Sequence, residues 1–311
     1  MIIYYWSPCL NKVGTYKSTI NSAVSLARYS KEYKKIKVIN SCGEWNEQKN
    51  FFSENNIEVI DFGFNYFRYL PKVGFFGSRF SYLIIFITSF IPLLRIFIKD
   101  RPDYLIIHLI TSLPLFLNSI FKNKTKIILR ISGYPKLNIF RKFIWKFSEK
   151  KVHSITCPSV GLEKQLTDLN LFSKEKVFFL ADPIICVKDF IEKISNEKKN
   201  KFSIDQRKYF IAVGRLTKQK NFKYLINEFS NSIMVSKNID LLIFGEGEDR
   251  KKLQKLIKKK NLENRIKLMG FYKNIINYMK NAEAFILSSL WEDPGFVLIE
   301  AAMCNLFIIS S

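Results

Sequence analysis

One segment near the end of the chain predicts a strand, a turn and a helix in succession: Ala284-Phe-Ile-Leu-Ser-Ser-Leu-Trp-Glu-Asp-Pro-Gly-Phe-Val-Leu-Ile-Glu-Ala-Ala-Met303. Its first four residues predict a buried strand, its proline–glycine pair a tight turn, and Phe296–Met303 a helix. The free backbone amides at the start of such a helix attract anions, phosphates above all. Because Glu292 and Glu300 flank the turn, the segment predicts either a phosphate pocket between two carboxylates or a capped helix with a salt-bridged Glu300.

The same alternation of short apolar runs and helix-length segments extends over most of the chain. It predicts seven strands in a first domain, at 1–187, and five in a second domain, at 207–311. Continuous apolar strands separated by helices favour parallel sheets that are covered on both faces. The polar, lysine-rich segment 188–206 predicts a linker or an exposed helix. We therefore expect an α/β chain of two doubly wound, Rossmann-like domains whose strand ends face a cleft.

The charge of the chain indicates anionic partners. The formal net charge is +23, and lysine dominates it in clusters such as Lys258–Lys260. Such a field attracts nucleic acid, an acidic membrane surface or phosphorylated ligands. Because no zinc-finger spacing or recognisable RNA-binding signature accompanies the charge, we predict no nucleic-acid partner. The five scattered cysteines, without a close CxxC pair, favour reduced thiols in a cytosolic protein.

One apolar segment, Phe75–Ile98, raises the question of a membrane. A proline and an arginine interrupt it, so it falls short of a clean spanning helix. Two interpretations stay open: a buried helix of a large domain, or an amphipathic surface that dips into a bilayer beside Arg68, Lys72 and Arg79. The expected location is the cytoplasm, with peripheral attachment to the inner face of the plasma membrane as an open alternative.

Basic side chains follow the first strand of the second domain. The predicted strand Tyr209–Val213 runs into Gly214-Arg-Leu-Thr-Lys-Gln-Lys220 and then into a helix. Arg215 offers a bidentate fork and Lys220 a point charge, which are complementary ways to hold a diphosphate. The alternative is a solvated basic loop in a very basic protein. The position between a strand end and a helix start favours the anion site.

Two other strand ends supply candidate residues. The predicted strand Asp240–Phe244 ends in Gly245-Glu-Gly, which lacks the third glycine of a dinucleotide fingerprint and predicts a tight turn that lines the same cleft. His108 ends a strand of the first domain. A neutral imidazole suits proton transfer, although a lone histidine is more often structural.

Taken together, these segments resemble the family-four glycosyltransferases, which have the GT-B fold and act with retention of anomeric configuration. The resemblance is carried by Gly214-Arg-Leu with Lys220, the Phe244-Gly-x-Gly turn, the Met269-Gly-Phe-Tyr loop and the Ser288–Ala301 segment. It is specific from Ile211 onwards and looser before that, where Val13-Gly-Thr and Pro102–His108 carry it. Because the family normally continues with a further strand and helix, the resemblance implies a C-terminally truncated chain with an incomplete second domain.

The resemblance implies a donor site in the second domain. Arg215 and Lys220 would hold the diphosphate of a nucleotide sugar, Glu300 would bind the ribose hydroxyls, and Gly245 would line the pocket. The family uses no obligatory metal, and the chain lacks the DxD motif of metal-dependent enzymes. No cofactor is therefore expected, and stabilisation of the diphosphate would rest on the two basic side chains and on helix dipoles.

The resemblance also implies residues around the transferred sugar. Glu292 and the backbone amides of Gly295 and Phe296 would contact that sugar. Gly14 would let the first loop approach the donor or the acceptor, and His108 would face the same cleft.

The predicted function is a retaining glycosyltransferase that moves a sugar from a nucleotide-sugar donor to a saccharide acceptor. A lipid-linked acceptor in bacterial surface polysaccharide synthesis, such as lipopolysaccharide or capsule, is expected. Two alternatives stay open. The chain is a truncated, non-catalytic protein that binds the donor at a membrane surface, or it is another GT-B enzyme such as a nucleotide-sugar epimerase.

Overall fold

The computed structural model of the chain describes residues 1–10, 14–30, 35–71, 75–121, 123–135, 137–183, 185–196, 207–232, 237–272, 274–292 and 295–311. The chain divides into two compact units, Met1–Ile184 (unit 1) and Ile185–Ser311 (unit 2). Within the predicted linker, a helix covers Val187–Asn196, whereas residues 197–206 lie outside the described residues. The limits of the two predicted domains stay a prediction.

Unit 1 contains a sheet of seven parallel strands, as predicted. The strands are β1 (Ile2–Trp6), β2 (Lys35–Asn40), β3 (Ile57–Asp61), β4 (Tyr104–Ile107), β5 (Lys126–Arg130), β6 (Val152–Cys157) and β7 (Val177–Phe179). The helices are α1 (Gly14–Tyr29), α2 (Lys49–Glu54), α3 (Phe75–Arg95), α4 (Ser112–Ile120), α5 (Ile139–Ser148) and α6 (Val160–Asp168). The strand order is β3-β2-β1-β4-β5-β6-β7, so β1 and β4 are the neighbours at which the direction of winding reverses.

Both faces of this sheet are covered, which explains why its strands are apolar without alternation. Tyr4 and Trp6 of β1 belong to a core that also contains buried residues of α3, α4, α5 and α6. Ile3 and Tyr5 belong to a second core, which contains buried residues of α1 and α2. The helices that follow β1 and β2 therefore cover one face, and the helices that follow β3 to β6 cover the other.

The sequence pattern missed helix α2, and it left open whether the segment of α3 is buried or lies at a membrane surface. Helix α2 spans six residues and buries only Phe52, so it has too few apolar positions to give a helical period. Helix α3 covers the apolar segment Phe75–Ile98 and continues as a π-helix, Ile96–Asp100. Among the residues described, the helix over Phe76–Asp100 is the one that is long and apolar enough to cross a membrane. Within its most apolar stretch, 33% is buried inside the protein.

Unit 2 contains a sheet of five parallel strands, again as predicted. Its elements are α7 (Val187–Asn196), β8 (Tyr209–Val213), α8 (Phe222–Asn231), β9 (Asp240–Phe244), α9 (Arg250–Lys259), β10 (Ile266–Gly270), α10 (Ile276–Lys280), β11 (Ala284–Leu287), α11 (Phe296–Met303) and β12 (Phe307–Ser310). The order is β10-β9-β8-β11-β12. The chain winds outward from β8 to β10 and then returns to the other side of β8, so β8 and β11 flank the winding reversal of this sheet. Ligands of open α/β sheets bind beyond the carboxyl ends of strands at such a point.

Candidate active site

The predicted donor residues of unit 2 lie on the two loops that flank its winding reversal. The β8–α8 loop carries Arg215 and Lys220, and the β11–α11 loop carries Glu292 and Gly295. Backbone and side-chain hydrogen bonds join these loops. The amide of Leu290 donates to the carbonyl oxygen of Gln219 at 2.8 Å, and Ser288 Oγ donates to the carbonyl oxygen of Lys220 at 2.8 Å.

An ion pair connects the same two loops. Lys220 Nζ donates a hydrogen bond to Glu292 Oε1, which also accepts one from the hydroxyl of Ser289. Both charged side chains are largely buried, with 13% of Lys220 and 19% of Glu292 exposed. The stem of Lys220 lies over Gly214, where a Cβ would come within 2.7 Å of Lys220 Cε. Glycine at this position therefore lets the lysine cross the loop and reach Glu292.

Arg215 differs from Lys220 in its surroundings. It is exposed, and its guanidinium has no hydrogen-bonding or ionic partner within the described part of the chain. It follows β8 directly after Gly214, so it stands at the carboxyl edge of the sheet beside the Lys220–Glu292 pair. A guanidinium in this position can bind an anion without first breaking an internal ion pair.

Gly245 lets the loop after β9 pack against the loop after β8. Its φ is +137°, and a Cβ would lie 1.9 Å from the carbonyl oxygen of Gly214. The amide of Gly245 donates to the carbonyl oxygen of Gly270 at 2.7 Å. Only glycine fits this backbone conformation and this close approach. Gly245 therefore shapes the site through its backbone, and the loops after β8 and β9 pack directly on each other.

Helix α11 begins beside the ion pair. Gly295, with φ +71°, is its N-cap residue, and a Cβ at Gly295 would lie 3.4 Å from Cβ of Glu292. Phe296 is the first residue of the helix, and Glu300 follows about one turn later. The helix N-terminus with its partial positive charge thus adjoins Glu292 and Lys220. Pro294, predicted to make the turn, lies outside the described residues.

His108 lies at the corresponding edge of unit 1, directly after β4. Its amide donates to the carbonyl oxygen of Trp6 at 3.0 Å, and 7% of the residue is exposed. Within the described residues, neither imidazole nitrogen has a hydrogen-bonding partner. Burial, and to a lesser extent the charge of Arg130, lowers the pKa of His108 from 6.5 to about 3. The imidazole is therefore neutral at physiological pH, with one nitrogen that can donate and one that can accept a hydrogen bond.

A buried ion pair that the sequence pattern did not predict lies near His108. Arg130, the last residue of β5, donates two hydrogen bonds to Asp182 Oδ1, from Nη2 at 2.7 Å and from Nε at 3.1 Å. The side chains are 5% and 2% exposed. The hydroxyl of Ser18 on α1 donates to the same oxygen. Arg130 Nη1, Asp182 Oδ2 and the hydroxyl of nearby Ser132 have no partner in the described part of the chain. The rule that selected His108, a polar residue at a strand end, selects Arg130 as well.

Gly14 is the first residue of α1, four positions before Ser18. Residues 11–13, which complete the predicted first loop, lie outside the described residues. The helix that Gly14 begins is therefore tied to β5 and β7 through Ser18 and Asp182. Gly14 and His108 belong to unit 1 and the predicted donor residues to unit 2.

A cavity of about 350 Å³ opens at the loops after β2 and β3 of unit 1. It is lined by Gly43, Glu44, Asn46, Glu47, Asn65, Phe67, Arg68 and Tyr69. Glu44 is buried, and its carboxylate accepts hydrogen bonds from the amides of Ser41 and Cys42 and from the Ser41 hydroxyl. Burial raises the pKa of Glu44, and these hydrogen bonds counteract the rise. The lining combines amides, carboxylates, a guanidinium and aromatic rings, a mixture that can bind hydroxyl-rich ligands.

The sequence of the second half matches a known family model. Residues 194–311 match the family described as glycosyl transferases group 1. An uncharacterized glycosyltransferase of Methanocaldococcus jannaschii is 33% identical over 238 residues, which cover 70% of this chain and 58% of that protein. The N-acetylgalactosamine-N,N'-diacetylbacillosaminyl-diphospho-undecaprenol 4-alpha-N-acetylgalactosaminyltransferase of Campylobacter jejuni is 27% identical over 218 residues, 68% of this chain and 55% of that enzyme. The chain thus spans little more than half the length of these curated relatives.

The fold matches solved structures along the whole chain. The HepE protein of Anabaena, solved in complex with UDP and glucose, superposes with a TM-score of 0.67. The match covers 100% of this chain and 80% of that protein at 14% identity, which establishes the fold alone. From the two parallel sheets, the structural match and the family model, we conclude that the chain has the GT-B fold and that residues 194–311 belong to group 1 of the glycosyl transferases.

Proposed function

We propose that the protein transfers a sugar, with retention, from a nucleotide-diphosphate sugar to a saccharide acceptor in bacterial surface polysaccharide synthesis. The observation that carries this proposal is the cationic arrangement at the winding reversal of unit 2. There Arg215 and Lys220 lie on one loop, and hydrogen bonds join this loop to the one that leads into the N-terminus of α11. A diphosphate carries negative charge that these three groups can bind together, and this charge grows as the sugar–phosphate bond breaks.

Each group in unit 2 has a separate task in this proposal. Arg215 binds the diphosphate through its exposed guanidinium. Lys220 supplies a second charge, and Glu292 holds its ammonium in place and contacts the transferred sugar. Glu300 binds the ribose hydroxyls, as the family resemblance implies. Because the ion pair holds Lys220 and Glu292 in place before the donor arrives, little reorganisation of these two groups is required when charge develops on the leaving diphosphate.

The proposed reaction is a front-face substitution. The bond between the anomeric carbon and the diphosphate oxygen breaks, and the acceptor oxygen bonds to the same face of that carbon. A phosphate oxygen of the leaving group takes the proton of the acceptor hydroxyl. No carboxylate of the chain has to act as a nucleophile, which agrees with the pairing of Glu292 with Lys220. Retention rests on the family resemblance.

Unit 1 would bind the acceptor. The cavity lined by Asn46, Asn65 and Tyr69 offers it amide groups and an aromatic ring, whereas both imidazole nitrogens of His108 are buried. The Campylobacter relative is named for an acceptor linked to diphospho-undecaprenol, which supports a lipid-linked saccharide. The five cysteines form no disulfide within the described part of the chain, which supports a location in the reducing cytoplasm.

A screen of nucleotide sugars by thermal shift tests the proposal. A donor present at about 100 times its Kd should stabilise the folded protein by about 2.7 kcal/mol. Arg215→Ala should abolish this shift, whereas Lys218→Ala, a basic residue on the same loop, should preserve it. No stabilisation by any nucleotide sugar would refute the donor site. Stabilisation without transfer to any saccharide or lipid-linked acceptor would favour a donor-binding protein that does not turn the donor over.

A further inference from the structure

The outward side of α3 carries an apolar stripe along its length. Phe80, Leu83, Ile87 and Ile91 are spaced by three or four residues, and Ile98 continues the stripe in the adjoining π-helix. Each is half or more exposed, from 50% to 63%. On a helix this spacing places the side chains on one side. A surface helix of an ordinary soluble unit carries polar side chains there.

The inward side of α3 makes the arrangement unusual. Ile85 and Leu93 are fully buried in the core of unit 1, but Ser81 and Ser89 are fully buried on the same side. The hydroxyl of Ser81 donates to the carbonyl oxygen of Pro71 at 2.7 Å. The helix thus buries hydroxyl groups and exposes large apolar groups. Because exposing apolar area to water is unfavourable, such a stripe indicates a surface that something else covers.

Helix α5 carries a second apolar stripe with interleaved lysines. Phe140, Phe143 and Phe147 are each more than half exposed, and the rings of Phe143 and Phe147 stack with their centroids 6.1 Å apart. Lys142 and Lys146 are exposed between them. Aromatic rings beside lysines, whose long stems let the ammonium reach water or headgroups, are the composition of a helix that lies in a membrane interface.

The two stripes belong to one face of unit 1. Helix α4 contacts both α3 and α5, and all three pack on the same side of the sheet. Burial raises the pKa of Tyr82 on α3, and the guanidinium of Arg141 on α5 counteracts this rise, so these side chains lie close together. We call the outward surface of α3, α4 and α5 the α3–α5 face.

The charge of this face has one sign. Helices α3 and α5 contain five basic residues, Arg79, Arg95, Arg141, Lys142 and Lys146, and no acidic residue. Helix α4 contains no charged residue. The adjoining π-helix adds one charge of each sign, Lys99 and Asp100. The face is therefore complementary to a surface that is apolar inside and anionic at its boundary.

We infer that the α3–α5 face docks unit 1 on an anionic lipid bilayer. The apolar stripes enter the boundary between headgroups and acyl chains, and the basic side chains bind the anionic headgroups. Helix α3 lies in the interface and does not span the bilayer, because Ile85, Leu93, Ile96 and Phe97 hold its other side in the core of unit 1. The inference goes beyond the proposed function, since the surface would dock whatever reaction the protein performs.

Flotation with lipid vesicles tests the inference. The full chain is mixed with vesicles of phosphatidylcholine alone or with phosphatidylglycerol added, at low and high salt. Two double variants remove the stripes: Ile87→Gln with Ile91→Gln on α3, and Phe143→Gln with Phe147→Gln on α5. The matched control, Tyr29→Gln with Phe51→Gln, replaces exposed apolar residues of α1 and α2 on the opposite side of the sheet. Circular dichroism and thermal unfolding verify that each variant is folded.

The expected result is binding to the anionic vesicles that each stripe variant weakens by about tenfold or more, because buried apolar area is lost. The control should bind like the unchanged chain. Absence of binding to anionic vesicles would overturn the inference. Binding of the stripe variants equal to that of the unchanged chain would also overturn it, because the net charge of +23 alone would then explain the binding. Self-association that the stripe variants abolish in the absence of lipid would also overturn it, in favour of a second copy as the partner. Thermal shift with nucleotide sugars, measured on the same variants, reports separately on the donor site.

Discussion

The winding reversals of the two sheets hold opposite kinds of polar groups. In unit 2, between β8 and β11, Arg215 is exposed and the Lys220–Glu292 pair keeps contact with solvent. In unit 1, beside β1 and β4, His108 and the Arg130–Asp182 pair are almost completely buried. The charged groups of the first site are accessible to a ligand. Those of the second site are buried, and several polar atoms there have no partner among the described residues.

The difference in burial separates side chains that affect ligand binding from side chains that affect stability. An exposed guanidinium contributes little to folding and can be used entirely for an anionic ligand. A buried ion pair is costly to desolvate, and loss of one partner leaves an uncompensated charge in the interior. We therefore expect substitutions in unit 2 to change activity and substitutions of the buried pair in unit 1 to change stability first. The following predictions test this expectation, beginning with the largest effect.

Arg130→Met should destabilise unit 1 by about 3–5 kcal/mol, because Asp182 would remain buried without its partner. Urea denaturation followed by tryptophan fluorescence measures this, since Trp6, Trp45 and Trp145 are buried in unit 1. The double variant Arg130→Met with Asp182→Leu should recover much of the loss, because it leaves no unpaired charge. If Arg130→Met unfolds at the same urea concentration as the unchanged chain, the ion pair does not stabilise unit 1.

Arg215→Ala should lower the rate of sugar transfer by about 100- to 1000-fold, the effect of removing one group that stabilises developing negative charge. Stability should stay within about 0.5 kcal/mol, as for other exposed side chains. Release of nucleotide diphosphate, together with urea denaturation, measures both quantities. Lys218→Ala on the same loop serves as the matched control and should retain its rate. A variant as fast as the unchanged chain would show that Arg215 does not bind the diphosphate.

The buried histidine should make unit 1 less stable in acid. Because the pKa of His108 falls from 6.5 to about 3 on folding, the unfolded chain binds a proton between these values and the folded chain does not. The contribution of His108 to the free energy of unfolding is therefore complete above pH 6.5. It is lost as the pH falls, by up to about 2 kcal/mol between pH 7 and pH 5.

Urea denaturation at the two pH values, with tryptophan fluorescence, measures this loss. His108→Gln should flatten the dependence. His153→Gln replaces the other histidine of the chain, which is exposed on β6, and is the matched control. An identical pH dependence in the unchanged chain and in His108→Gln would contradict burial of a neutral imidazole.

Tyr69→Ala should have the smallest effect and should act on the acceptor alone. Tyr69 is 86% exposed at the rim of the cavity in unit 1, so its loss should leave folding unchanged. An aromatic contact with the acceptor would contribute about 0.5–1.5 kcal/mol, so the KM for the acceptor should rise about two- to tenfold. Steady-state kinetics with donor and acceptor varied separately would detect this. A rise in the KM for the donor instead would remove the cavity from the acceptor site.

The sequence predicted the elements of both sheets better than it predicted contacts within the sites. Apolar runs such as Asp240–Phe244 are buried on both faces, so their composition alone identifies them as parallel strands. The pairing of Lys220 with Glu292 joins residues 72 positions apart, and it depends on β11 lying beside β8. Nothing in either segment encodes that neighbour. The pairing of Arg130 with Asp182 escaped prediction for the same reason, since it depends on β5 and β7 lying in one sheet.

The hydrogen bond from Ser18 to Asp182 also bears on the order in which the protein folds during synthesis. It joins residues 164 positions apart, and Arg130 lies 52 positions before the carboxylate that neutralises it. At the usual pace of translation, those 52 residues take about 3–10 s to add. During that interval Arg130 has no carboxylate to enter the interior with, so β5 cannot close over it without cost. Unit 1 should therefore complete the edge of its sheet only after β7 leaves the ribosome, and a nascent chain that is halted before Asp182 should remain accessible to proteases there.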